Sequence, residues 1–169
     1  VKRARLLALV LGLCAAAQAL GEVYQTPEAF VAEVFGKVPA PRVLWLSREV
    51  QAGAAAILDH PPANLRQRYW SDDTKSVWIL EEIGKEELIT AGFVISQGRI
   101  DHVRVLAYRE SRGQEVRDPS FLKQFAGASL ANRDRLDRGI DGISGATLSV
   151  HAMERMARLA LYFERRSRE

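Results

Sequence analysis

An α+β fold in one domain is predicted by three observations: strand-like segments joined by short connections between Arg66 and Tyr108, helix-start signals ahead of them, and one long amphipathic helix near the C-terminus. Strands that follow one another across short turns pair antiparallel, so an antiparallel meander is expected. No internal repeat, low-complexity tract or long linker divides the chain. The part after the N-terminal segment, about 150 residues, is long enough to bury a core of its own.

Each element follows from local signals. Thr26-Pro27-Glu28 opens a first helix, with Thr as cap and Pro at the first position, and Gly36 ends it. Arg42 to Leu46 is a short strand after Pro39 and Pro41. Ser47 caps a second helix over about Arg48 to Leu58, stopped by His60-Pro61-Pro62. Arg66 to Trp70, Ser76 to Leu80, Glu87 to Ser96 and Arg99 to Tyr108 are strands, the last two joined across Gln97-Gly98 as a tight hairpin. Asp118-Pro119 starts a short helix through Phe121, Leu122 and Phe125. Asn132 to Arg138 is polar and is expected to be a loop or weak turn. The last helix is expected over about Ala146 to Arg166, with Leu148, Ala152, Met156, Leu159 and Phe163 on its apolar face. His151, Arg155, Arg158 and Tyr162 are expected on the polar face.

The N-terminus follows the three-part plan of a secretory signal peptide. Val1-Lys2-Arg3-Ala4-Arg5 is basic, Leu6 to Leu13 is apolar, and Ala17-Gln18-Ala19 places small residues at the −3 and −1 positions of a cleavage site. The expected division is a signal peptide at residues 1–19 and a functional domain at 20–169; an uncleaved N-terminal anchor is the rival. Leu13 is too large for the position before a lipoprotein Cys14. Of the 24 basic residues the segment takes Lys2, Arg3 and Arg5 and no acid, leaving 21 against 21 acids. A neutral chain without a basic stripe interleaved with aromatics is not a nucleic-acid binder. The same cut removes the one cysteine, so thiol redox chemistry and Cys-ligated metals are excluded, and redox work would need a borrowed cofactor.

The most specific feature is Asp141-Gly142-Ile143-Ser144-Gly145-Ala146-Thr147, running into the last helix. A small turn feeding a helix N-terminus gathers unpaired N–H groups and positive potential, a place that favours a phosphate. With Ser144 as N-cap, Gly145, Ala146 and Thr147 would be N1, N2 and N3.

Asp141-x-x-Ser144-Gly145-Ala146-Thr147 resembles the flavinylation motif of the FMN-binding domain family, which includes the flavin-bearing subunits of Rnf-type complexes and of sodium-pumping NADH:quinone oxidoreductase. The resemblance implies a strongly curved antiparallel sheet of about four to six strands flanked by helices. It also implies one FMN joined by a phosphodiester to Thr147, with Asp141, Ser144, Gly145 and Ala146 as the recognition frame. A separate Mg²⁺-dependent flavin transferase that consumes FAD would make the bond. In the turn Glu110-Ser111-Arg112-Gly113 the resemblance is weaker; it implies that the Glu110 side chain and the backbone near Gly113 border the isoalloxazine ring.

Other candidates are less specific. Trp45, Trp70 and Trp78 are possible stacking partners for a flavin, and Trp78, in the segment Val77 to Leu80, is the best placed. His60, His102 and His151 show no metal-ligand spacing, so no metal site is expected. His151, one turn after Thr147, is expected to face solvent. The doublets Asp72-Asp73, Glu81-Glu82 and Glu86-Glu87 point to opposite faces of a strand and make no acid/base pair. No nucleophile elbow, P-loop or dinucleotide fingerprint is present.

The function these features point to is an exported, periplasmic electron-transfer flavoprotein, a carrier more than a complete enzyme, with a membrane-embedded redox partner. Two alternatives are a periplasmic anion- or ligand-binding accessory module and a small flavin-dependent reductase of a soluble acceptor.

Overall fold

A computed structural model describes residues 22–132 and 134–169. The expected signal segment, residues 1–19, lies outside the described residues. The elements in chain order are β1 (Glu22–Val23), α1 (Pro27–Phe35), β2 (Arg42–Trp45), α2 (Arg48–Leu58), β3 (Arg66–Ser71), β4 (Lys75–Ile83), β5 (Leu88–Ser96), β6 (Arg99–Tyr108), α3 (Pro119–Leu122) and α4 (Thr147–Ser167). The strands form one open antiparallel sheet in the order β1-β6-β5-β4-β3-β2. The α+β class, the meander and the long last helix are as the sequence predicts.

Caps and turns follow their local chemistry. The Thr26 and Ser47 hydroxyls accept from the N–H groups of Ala29 and Val50, and Gly36 closes α1 at φ +76°. Gln97 and Gly98 both have positive φ, the backbone of a two-residue turn whose twist matches its strands. The two-residue β1, too short for any periodic signal, pairs with the end of β6.

Side chains alternate between two cores. Phe30 and Val31 of α1 cover Trp70, Val77, Val94 and Leu106 on one sheet face. On the other face α2 and α4 bury Trp78, Leu80, Ile89, Phe93, Val105 and Tyr108. Burial on both faces explains why β6 is apolar nearly throughout its second half. Register breaks after Thr90 and Val94 mark bulges that bend the β5–β6 ribbon.

The expected polar face of α4 needs correction. Tyr162 is buried, because Gly53 lets α2 approach so closely that a Cβ there would lie 2.2 Å from the Tyr162 hydroxyl. Arg155 reaches the buried Glu82 carboxylate at 2.9 Å, and the His60 ring meets the same carboxylate at 3.2 Å. Leu148, expected on the apolar face, is 50 % exposed. Helical spacing locates one apolar stripe, whereas α4 is wedged between a sheet and a second helix.

The β3–β4 ladder is short. It pairs Tyr69 with Trp78, Trp70 with Val77 and Ser71 with Ser76, then stops. Beyond that point the Gln67 side chain bridges to the Ile79 carbonyl at 3.1 Å, and a cleft of about 780 Å³ opens between the strands.

Candidate functional site

The start of α4 is open. Ile143 to Ala146 form a turn closed by the Ala146 N–H on the Ile143 carbonyl at 3.0 Å. Gly145, third in this turn, has φ +81°, a conformation glycine takes without steric cost. Ala146, not Ser144, occupies the cap position, and no side chain caps the helix. The expected Ser144 cap is therefore corrected, and Thr147 is the first helical residue. The first helix bond runs from the Val150 N–H to the Ala146 carbonyl at 3.0 Å. The N–H groups of Thr147, Leu148 and Ser149 thus have no partner among the described residues. Ser144, Gly145 and Thr147 are exposed, while Ala146 is buried beneath them. Three free donors, the positive end of a 21-residue helix and an exposed hydroxyl fit a phosphate group.

Two turns buttress this helix end. The Tyr108 hydroxyl is 2.9 Å from the buried Ser149 hydroxyl and also donates to the Arg112 carbonyl. Gly113, at φ +83°, packs so tightly here that a Cβ would lie 2.8 Å from the Tyr108 hydroxyl and 3.0 Å from the Ala146 Cβ. One Glu110 carboxylate oxygen accepts the N–H of Lys85, that of Glu86 at 2.7 Å and that of Glu87 at 3.0 Å. Burial pushes the Glu110 carboxyl up, but these three donors and the Lys85 charge outweigh it and hold it below the usual carboxylate range. A Cβ on Gly84, in the same β4–β5 turn, would lie 2.8 Å from this Glu110 oxygen and 3.3 Å from the Ser149 hydroxyl.

The structure therefore brings Ser144, Gly145, Ala146, Thr147 and Gly113 together. Glu110 stands behind them as the residue that pins the β4–β5 turn. Asp141 is exposed on the approach to α4, its N–H held by the Gln124 side chain at 2.7 Å. His151 is exposed. Tyr108 and Gly84 leave no local signal of this role in the sequence; Ser149 leaves one, as a small polar residue inside the first turn of an apolar helix.

Trp78 is not brought to this cluster. Its ring is fully buried and stacks on Tyr69 at 4.4 Å and 7°. Its N–H is shared between the Ser76 hydroxyl at 3.0 Å and the Glu164 carboxylate at 3.1 Å. Glu164 lies seventeen residues beyond Thr147, about 25 Å along the helix. Trp70 is also core, and Trp45 is exposed on the edge strand.

No curated protein matches this sequence. A model of the FMN-binding domain matches residues 84–162, from the β4–β5 turn pinned by Glu110 into the last third of α4. That span holds both buttressing turns and the open helix start, and it marks the protein as an FMN flavoprotein suited to electron transfer. The match supports an FMN-binding domain family for residues 84–162 of this chain.

Proposed function

We propose that this protein is an exported electron carrier holding one FMN in phosphodiester linkage to Thr147. The observation that carries the proposal is the exposed Thr147 hydroxyl on an uncapped helix start, at the last position of Asp141-x-x-Ser144-Gly145-Ala146-Thr147. A separate flavin transferase would use FAD: the Thr147 oxygen bonds to the FMN phosphorus, the pyrophosphate bond breaks, AMP leaves, and the hydroxyl proton passes to solvent. The free N–H groups of Thr147, Leu148 and Ser149 would hold the phosphate oxygens. Bound FMN supplies two-electron uptake with one-electron release, while the protein sets its position and solvent access. Export rests on the three-part pattern of residues 1–19, and a covalent tether suits a compartment where lost FMN is not readily replaced. A membrane-embedded redox partner completes the proposal.

Ser149 is a poor rival acceptor, being buried and engaged with Tyr108. Ser144 is the exposed alternative. Intact mass and in-gel flavin fluorescence after co-expression with a transferase decide. Covalent FMN is expected on wild type and Ser144→Ala and to be lost completely from Thr147→Val. Flavin retained covalently on Thr147→Val overturns the assignment. N-terminal sequencing of exported protein is expected to begin near Leu20.

A further inference from the structure

Beyond the end of the β3–β4 ladder, two side chains among the described residues bridge the cleft by hydrogen bonds. The Gln67 amide reaches the Ile79 carbonyl at 3.1 Å, and the His60 ring, on the loop from α2 to β3, reaches the Glu82 carboxylate of β4 at 3.2 Å. Gln67 is uncharged at every pH, whereas an imidazole changes charge near neutrality. His60, Pro62 and Asn64 of the loop line the cleft together with Leu80 and Glu82 of β4. Pro61, Ala63, Asn64 and Leu65 are exposed, so the loop buries little that would hold it by itself.

Both ring nitrogens of His60 face acceptors. Nδ1 lies 2.9 Å from the Pro61 carbonyl oxygen, and Nε2 lies 3.2 Å from each oxygen of the Glu82 carboxylate. A neutral imidazole has one N–H, so it serves one of these contacts and turns a lone pair on the other. The carbonyl has no proton to offer, and the Glu82 carboxylate already accepts from the Arg155 guanidinium at 2.9 Å. Only the imidazolium satisfies both contacts. The charged groups that face the ring are Glu82 from β4 and Arg155 from α4. The Pro61 carbonyl acts most strongly and raises the His60 pKa; burial and the Arg155 charge lower it, Glu82 raises it again, and the net shift is upward.

We propose that His60 is a proton-operated latch: doubly protonated, it ties the α2–β3 loop to β4 and keeps that edge of the cleft closed, and loss of one ring proton lets the edge open. The proton passes to solvent, since the side chain is 50 % exposed. A deprotonated ring turns a lone pair on either the Glu82 carboxylate or the Pro61 carbonyl, and one contact is lost. Glu82 keeps Arg155 when the ring leaves, so release strands no buried charge. Because the His60 pKa is raised on folding, the latch contributes fully below the ordinary histidine range, and its contribution is lost as pH rises through the raised value. The inference stands whether or not Thr147 carries flavin.

Nitrogen-15 NMR of the labelled protein reads the ring directly, with His60→Gln identifying its signals. Both His60 ring nitrogens are expected in the imidazolium range at pH 7, with a titration midpoint above that of histidine in an unstructured peptide. Amide exchange reports the loop: Leu46 is buried and its N–H bonds to the Leu65 carbonyl at 2.9 Å, so it exchanges slowly while the loop is held. Relative to Phe93 in the β4–β5 ladder, and corrected for intrinsic rates, Leu46 exchange should rise about fivefold as pH passes through the His60 midpoint, the size of a half-exposed ion pair. His60→Gln should lack that step, and Glu82→Gln should lower the midpoint. A neutral His60 ring at pH 7 overturns the latch, as does a Leu46 step that persists in His60→Gln. A ring that titrates with no step in Leu46 exchange also overturns it, because the bond would then hold nothing.

Discussion

The two ends of α4 are built on opposite plans. At the C-terminal end the buried Glu164 carboxylate takes hydrogen bonds from Ser76 at 2.6 Å, from Trp78 at 3.1 Å and from Arg168 at 2.6 Å. At the N-terminal end no side chain caps the helix, three N–H groups face outward, and support comes from turns that press on Ala146 and Ser149 from behind. A carboxylate within a closed set of donors locks the helix on the sheet. A ring of unspent donors stabilises nothing until an anion arrives. The difference shows that position is fixed at one end of the helix and chemistry is offered at the other.

Breaking the sealed end should have the largest effect. Glu164→Ala leaves the buried Ser76 hydroxyl and Trp78 N–H with only each other and returns the exposed Arg168 to solvent; it should cost about 2–4 kcal/mol in chemical denaturation, the sum for one or two buried donors left short of an acceptor. A loss under about 1 kcal/mol would mean that the network is not closed. Gly113→Ala comes next: its φ of +83° and the contacts with Tyr108 and Ala146 should cost about 1–3 kcal/mol. It should also lower flavin loading at Thr147, since the strain falls on the residue under the motif.

Glu110→Gln should be milder, because an amide oxygen still accepts from the turn. Faster hydrogen exchange of the Lys85, Glu86 and Glu87 amides is its expected mark. The Glu110 carboxyl is held below its unfolded value, so its contribution is present above the ordinary carboxylate range and is lost as pH falls through its lowered value. The Gln variant should flatten that part of the acid stability profile. Thr147→Val should be the smallest in stability, within about 0.5 kcal/mol, because the side chain is exposed. A variant that abolishes flavin attachment and leaves the melting temperature unchanged would be the sharpest statement of the contrast.

Local chemistry was legible where a residue acts on its immediate neighbours. Thr26 and Ser47 as caps, Gly36 as terminator and Gln97-Gly98 as hairpin turn are decided within four residues of sequence. The motif at Asp141 to Thr147 was legible for the same reason. What depends on packing across the fold was not. Ser144 looks like a cap, but the turn from Ile143 to Ala146 carries the helix start to Ala146. Tyr162 falls on a polar stripe, yet the space above Gly53 buries it. Trp78 looks available to a flavin until Tyr69 of the neighbouring strand, Ser76 two residues before it and Glu164 of the distant α4 enclose it. Glu110 stands in a turn that the sequence singles out, but its three backbone partners lie in the β4–β5 turn, more than twenty residues earlier, and leave no local mark.

The short β3–β4 ladder has a mechanical consequence. With only the Tyr69–Trp78 to Ser71–Ser76 pairs and the Gln67 bridge in its hydrogen-bonded ladder to β4, the β2–β3 limb is held at its other end by side-chain packing alone. Amides in this limb should exchange before those of the nine-residue β4–β5 ladder.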